Sequence, residues 1–124
     1  MHCVFVANTG LVHWLLLNSE TDYLDSYEGP NSNFAGHDFG GVNGVPTQLQ
    51  WLEDDLKSIN RTATPWVIAT AHRPLYSSDS ADVASPLITP FESLFTKYGV
   101  DMYFAGHIHW YVYSADTSVV LQYD

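Results

Sequence analysis

Two short apolar runs, residues 66–71 and 100–105, each follow a segment of helical periodicity, and each ends on a turn that carries histidine. A strand followed by a crossover helix and a second strand settles as a parallel neighbour in one sheet, so this alternation restricts the chain to an α/β layered fold. Ahead of the first run, Thr47 and Gln50 have the spacing of a capping box. Leu49, Leu52, Leu56 and Ile59 then recur at helical intervals, with Glu53, Asp54, Asp55 and Lys57 largely on the opposite face. The spacing predicts a helix over residues 48–59. Ahead of the second run, Thr89 reads as a cap, Pro90 as the first helical residue and Glu92 as the capping-box partner. Phe91, Leu94, Phe95 and Tyr98 form the apolar stripe of that helix, and Gly99 ends it.

Nearer the N-terminus, residues 3–7 and 11–17 are apolar, and Asn8-Thr9-Gly10 between them reads as a hairpin turn. His13 sits in the middle of the second of these runs and is expected to be a hydrogen-bonded structural residue, as are Trp51, Trp66 and Trp110 in the core. Residues 18–46 form a long polar loop with Gly36, Gly40, Gly41 and Gly44, and loops of that length are often functional. A phosphate-cradling role for its glycines is disfavoured, because no Lys-Ser/Thr follows them and no strand immediately precedes them. Residues 73–87 make a second loop, and residues 110–113 and 118–123 suggest a terminal hairpin.

The chain of 124 residues suits one domain, and 46% hydrophobic with 15% aromatic content excludes disorder. Its 14 acidic against 4 basic side chains give a net charge of −10, which repels phosphate backbones and anionic lipid. Nucleic acid and membrane surfaces are therefore not expected partners. Cys3 alone makes no internal disulfide, the longest apolar run is too short for a bilayer, and no signal-peptide pattern precedes the first strand-like run. Asn60-Arg61-Thr62 is a glycosylation sequon at the expected end of the first helix.

The chemistry lies in Thr70-Ala71-His72-Arg73-Pro74 and Ala105-Gly106-His107-Ile108-His109. Neutral imidazole suits zinc, iron or manganese, and a glycine before His107 lets the backbone turn sharply. His107 and His109, two residues apart, point to one side of an extended chain. If the two runs are parallel neighbours, His72 and His107 also leave the sheet at the same edge, where α/β folds place ligands. Metal binding by His72, His107 and His109 is the leading reading. A hydrolytic two-metal centre needs carboxylates as well, and no motif upstream of His72 supplies them. Asp79 and Asp82 read as solvated loop residues. A mononuclear three-histidine zinc site and a non-catalytic remnant or binding module stay open as rivals.

The segments "LVHWLLLNSETD", "QLQWLEDDLKSINRTATPWVIATAHRPLYSS" and "FESLFTKYGVDMYFAGHIHWY", in this order and spacing, resemble the C-terminal half of the catalytic domain of purple acid phosphatases, within the metallophosphoesterases. The likeness runs from about residue 4 to residue 111. After Tyr111 the family often continues with Glu-Arg, where this chain has Val112 and Tyr113. The resemblance implies a partial metallophosphoesterase-type sheet with flanking helices, half of an αββα sandwich. It implies hydrolysis of phosphate monoesters at acidic pH by a dinuclear centre of iron with zinc, manganese or a second iron. His72 and His107 would hold the divalent ion and His109 the ferric one. The family's remaining ligand segments, Gly-Asp, Gly-Asp-x-x-Tyr and Gly-Asn-His-Glu, are not among these residues, so the ligand set is incomplete and the chain by itself is expected to be inactive. Tyr76, a few residues beyond His72, reads either as lining a substrate mouth or as a half-buried loop aromatic. Histidines that some members carry in the loop after His72 are replaced by Ala81 and Asp82. Secretion of the parent protein, a glycan on Asn60 and self-association through an unpaired sheet edge complete the expectation.

Overall fold

A computed structural model describes residues 5–20, 47–76 and 88–107. Four strands form one mixed sheet in sequential order: β1 (Phe5–Thr9), β2 (Val12–Leu16), β3 (Trp66–Ala71) and β4 (Met102–Ala105). β1 and β2 pair antiparallel with Thr9 opposite Val12, whereas β2–β3 and β3–β4 are parallel. The hairpin turn is Gly10-Leu11 rather than Asn8-Thr9-Gly10. Gly10 takes φ 59, and a glycine with positive φ at the first central position suits the twist of a two-residue hairpin. Asn8 and Thr9 stay in the ladder.

The two parallel steps are crossed by helices. α1 (Gln48–Ser58) starts on Thr47, and the expected capping box is present: the Gln50 amide donates to Thr47 Oγ1, and the Thr47 amide donates to Gln50 Oε1. α2 (Ser93–Tyr98) is shorter than the sequence suggests. Residues Ile88–Glu92 wind as a π turn, and Glu92 at the helix start makes no capping bond. Its carboxylate is instead engaged by the Tyr76 hydroxyl. Gly99 closes α2 at φ 66, and the Val100 amide returns to the Phe95 carbonyl. This ending delays β4 to Met102.

Leu15, Leu17, Val67, Ala69, Tyr103 and Ala105 of the sheet pack with Leu52 and Leu56 of α1 and with Phe91, Phe95 and Leu75 to make the core. The alternate residues Trp14, Leu16, Ile68, Met102 and Phe104 stay partly exposed, as period-two strands require. Trp66 is 51% exposed, contrary to its reading as core, because it opens β3 at the hairpin end of the sheet, where its amide reaches the Leu11 carbonyl. Trp51 does pack against the core, and Trp110 lies outside the described residues. Asp55 is also corrected: it faces inward, 2.9 Å from His13 Nε2, while Asn8 Oδ1 meets His13 Nδ1 at 2.8 Å. His13 thus has the structural role expected of it.

A second buried polar residue fixes where β2 leads. Gln48 is fully buried, and its side chain pairs with one backbone unit: the Asn18 amide donates to Gln48 Oε1 at 2.7 Å, and Gln48 Nε2 donates to the Asn18 carbonyl at 2.9 Å. The amide side chain substitutes for a neighbouring strand at the point where β2 ends. Replacing it with a side chain of similar length that cannot hydrogen-bond strands two polar groups, each costing roughly 1–3 kcal/mol when buried. Gln48→Met is expected to lower the unfolding free energy by about 2 kcal/mol, measured as a lower urea midpoint at unchanged slope; an unchanged midpoint would show that the pairing contributes nothing.

Candidate functional site

His72 and His107 meet at the carboxyl ends of β3 and β4. The last ladder pair is Ala71 opposite Ala105, and the next contact continues it, with the Gly106 amide donating to the His72 carbonyl at 3.0 Å. The two imidazoles stand nearly perpendicular, with centroids 4.8 Å apart, and His107 Nδ1 lies 2.9 Å from His72 Nε2. The shared sheet edge anticipated for these two residues is what the fold produces. His109 lies outside the described residues, as do Asp79, Asp82 and the glycines of the long loop.

The turn between β4 and the site is not made as the sequence suggests. Gly106 has no left-handed backbone, and a Cβ there would meet the His72 carbonyl oxygen at an ordinary 3.9 Å. His107 itself takes φ 72 and is the single non-glycine residue with positive φ among those described. Left-handed backbone costs an L-residue roughly 1–2 kcal/mol, and such conformations cluster where surrounding structure holds a functional side chain in place. With this backbone the His107 ring stands edge-on to that of His72.

Sequence reading had missed a third participant, Arg73. Its Nη1 lies 3.0 Å from His107 Nε2, and its Nε is 2.9 Å from both carboxylate oxygens of Glu20. Its backbone is held as well: the Arg73 amide donates to Ser19 Oγ at 2.9 Å, and Tyr103 Oη donates to the Arg73 carbonyl at 2.6 Å. Ser19 and Tyr103 are 1% and 2% exposed, so these bonds are made inside the protein. No local pattern signals Arg73, because its partners come from 30 to 54 residues away.

The donor set can be tested against a metal ion. Two ligand nitrogens about 2.1 Å from one tetrahedral ion are about 3.4 Å apart, so the 2.9 Å between His72 Nε2 and His107 Nδ1 would open by about half an ångström to accept one. The two imidazole nitrogens fit as part of a site for a borderline transition metal. Among the described residues no group of three or more His, Cys, Asp or Glu assembles, so the pair is a portion of a ligand set.

Tyr76, four residues past His72, packs against the core edge and donates its hydroxyl to Glu92. That bond, followed by burial, raises the phenol from its ordinary 10.0 to about 12. It anchors the loop after β3 to the π turn before α2.

Known proteins share this sequence and this fold. Residues 4–111 match the calcineurin-like phosphoesterases. An acid phosphatase of Aspergillus ficuum is 39% identical over 127 residues, covering 82% of this chain and 20% of its own length. Acid phosphatase A of Cryphonectria parasitica is 39% identical over 101 residues, covering 81% and 20%. The Fe(3+)-Zn(2+) purple acid phosphatase 12 of Arabidopsis thaliana is 46% identical over 66 residues, covering 52% and 14%. In three dimensions the chain is similar to purple acid phosphatase PPD1 from yellow lupin seeds, with TM-score 0.57 at 20% identity over 90% of this chain and 18% of that one. The chain spans about a fifth of the length of the two fungal relatives, and its mixed sheet with two helices matches the α/β fold of the lupin purple acid phosphatase.

The Tyr76–Glu92 bond has a pH signature. A phenol raised on folding contributes stability that is complete below its ordinary 10.0 and is lost as pH rises towards 12. Ultraviolet titration of tyrosine is expected to show one phenol ionising near 12 that returns towards the ordinary range in Glu92→Gln; a profile unchanged by that substitution would remove Glu92 as the cause.

Proposed function

The chain belongs to the calcineurin-like phosphoesterase family, and on that premise we propose that it forms the C-terminal half of a metallophosphoesterase catalytic domain and supplies part of an acid phosphatase centre. The observation that carries this reading is the approach of His72 Nε2 and His107 Nδ1 to 2.9 Å at the ligand-binding edge of the sheet. In this reading His72 and His107 hold a divalent ion and His109 the ferric ion of a dinuclear centre, and the substrate is a phosphate monoester. When bound, the ions polarise phosphoryl oxygens and lower the pKa of water from 15.7 towards about 7. This chain's own residues orient that chemistry. The parallel strands present both imidazoles from one edge, the His107 backbone turns its ring inward, and Arg73 with Glu20 flanks the pair. The missing carboxylate, tyrosine and asparagine ligands would come from other segments of the domain. Tyr76 is proposed to line the substrate mouth, on its place at the start of the loop beyond His72.

The parent protein is proposed to be secreted and to carry a glycan on Asn60. Asn60 is exposed, and its Oδ1 accepts the Thr62 amide at 3.0 Å, so the sequon turns outward as a tight loop. Self-association is proposed along β1, one of the two edge strands of the described sheet, where Phe5 is 51% and Val6 38% exposed.

Two measurements test the centre. In calorimetric titration with Zn2+, whatever binding the chain shows is expected to be lost in both His72→Ala and His107→Ala; binding equal to wild type in either variant would sink the shared-site reading. Hydrolysis of an aryl phosphate at acidic pH is expected to be absent from the isolated chain, since neutral imidazoles leave two cations about 4 Å apart with their repulsion unrelieved. Turnover that His107→Ala removes would favour a mononuclear zinc site with an open position, and an intact fold indifferent to Zn2+ would favour a non-catalytic module.

A further inference from the structure

Basic side chains are scarce in this chain, and the fold distributes them unevenly. Of the four Lys and Arg residues, Lys57 lies in the last turn of α1 and Lys97 in the last turn of α2. Arg61 binds Asp101 and the Tyr98 and Gly99 carbonyls just ahead of β4. All three sit towards the amino ends of β3 and β4, and each has a structural task there. Such cations offset the negative end of a helix dipole or satisfy carbonyls that the helix leaves open. Arg73 alone stands at the carboxyl ends, just past β3 on the histidine edge.

We propose that Arg73 is a substrate-binding residue that takes the phosphoryl group of a phosphate monoester beside the imidazole pair; the assignment rests on the acid phosphatase reading above. A dianion approaching a chain of net charge −10 is opposed over most of its surface. Guanidinium answers it in charge and in shape, since its planar fork offers two parallel N–H donors to two phosphate oxygens. Nη1 of Arg73 lies 3.0 Å from His107 Nε2, and His107 Nδ1 lies 2.9 Å from His72 Nε2, so an anion held at the pair is within reach of the fork. An incoming phosphoryl group exchanges the Nη1 contact with His107 for a charge-assisted bond, the stronger of the two. Ordering a surface arginine on binding costs affinity, and here that ordering is largely done beforehand. Glu20 accepts Nε with both oxygens at 2.9 Å, buried Ser19 accepts the backbone amide, and buried Tyr103 donates to the carbonyl. The side chain is 20% exposed, so solvent and solutes still reach it. Glu20 steadies the guanidinium through Nε and leaves a negative charge beside it, which opposes the anion by a measurable amount.

The test titrates the metal-free chain with inorganic phosphate and, separately, with phenyl phosphate, at about pH 7.5 where the phosphoryl group is mainly dianionic. Ionic strength is held constant with chloride. Nuclear magnetic resonance follows the ligand phosphorus signal and the Arg73 Nε–H. Wild type is expected to saturate with both ligands, the Nε–H moving together with the phosphorus signal. Arg73→Met is expected to raise the half-saturation concentration at least about tenfold, and Arg73→Lys, which keeps the charge without the fork, to fall between. Lys97→Met removes the same charge at the other end of the sheet and is expected to leave binding unchanged, which separates a contact from a general field. Glu20→Gln keeps an acceptor for Nε without the charge and is expected to tighten binding by about threefold. A guanidinium with only a structural task would show no such gain, so this arm decides the matter if Arg73→Met fails to fold. No saturation in wild type, equal binding in Arg73→Met, no gain in Glu20→Gln, or a response to inorganic phosphate with none to phenyl phosphate overturns the assignment. Uptake of Zn2+, measured on separate samples, distinguishes the two readings. Phosphate bound through Arg73 by a chain that takes up no Zn2+ sinks the metal centre and upholds Arg73, whereas Zn2+ held through His72 and His107 with phosphate binding indifferent to Arg73→Met does the reverse.

Discussion

The parallel pairing of β3 with β4 is the constraint from which the site follows. With Ala71 opposite Ala105, the next residues on each strand leave the sheet side by side, and the Gly106 amide to His72 carbonyl bond carries the register one step past the ladder. A register slip of one residue would send one imidazole to the other face of the sheet. Backbone hydrogen bonding, rather than any attraction between the rings, decides that they meet. The positive φ of His107 completes the approach, and the paired strands and the Arg73 contact absorb its cost.

The opposite ends of the same strands are tied as firmly. Asp101 accepts the Val67 amide and the Arg61 guanidinium, both at 2.7 Å, and its own amide donates to the Val67 carbonyl. Arg61 also gathers the Pro65, Tyr98 and Gly99 carbonyls, where α2 has ended and left acceptors without helical partners. Lys97 Nζ and Tyr98 Oη meet one oxygen of Glu53 at 2.8 Å, which joins α2 to α1 and holds that carboxyl down at about 2. The sheet is thus clamped by polar side chains at both ends and by an apolar core between them. Histidine geometry inherits that stiffness.

Two crossover helices and one mixed sheet match the fold of a family of whose two fungal relatives this chain spans about a fifth of the length. The proposed metal-centre reading accounts for the close approach of the two described imidazoles without a full ligand set among the described residues. It also gives the buried polar residues a purpose. Gln48, Ser19 and Tyr103 cost desolvation that an apolar core would avoid, and they return it as fixed exits from β2 and β3.

The sequence by itself determined the order of elements, the capping box on Thr47, the stop at Gly99 and the delivery of His72 and His107 to strand ends. These are local matters of periodicity, backbone freedom and side-chain reach, which a few neighbouring residues settle. It misjudged what depends on distant partners. Asp55 reads as a solvent-facing helix residue until His13 is placed beneath it. Trp66 reads as core until the sheet leaves it at an end, and Thr89 reads as a cap until Glu92 is drawn to Tyr76 and the chain winds as a π turn. Arg73 is silent in the sequence, because its meaning lies in Ser19, Glu20, Tyr103 and His107, which only the folded sheet brings to it. Local physics chose the elements; the register between strands chose the site, since hydrogen-bond partners far apart in the chain become neighbours only through that pairing.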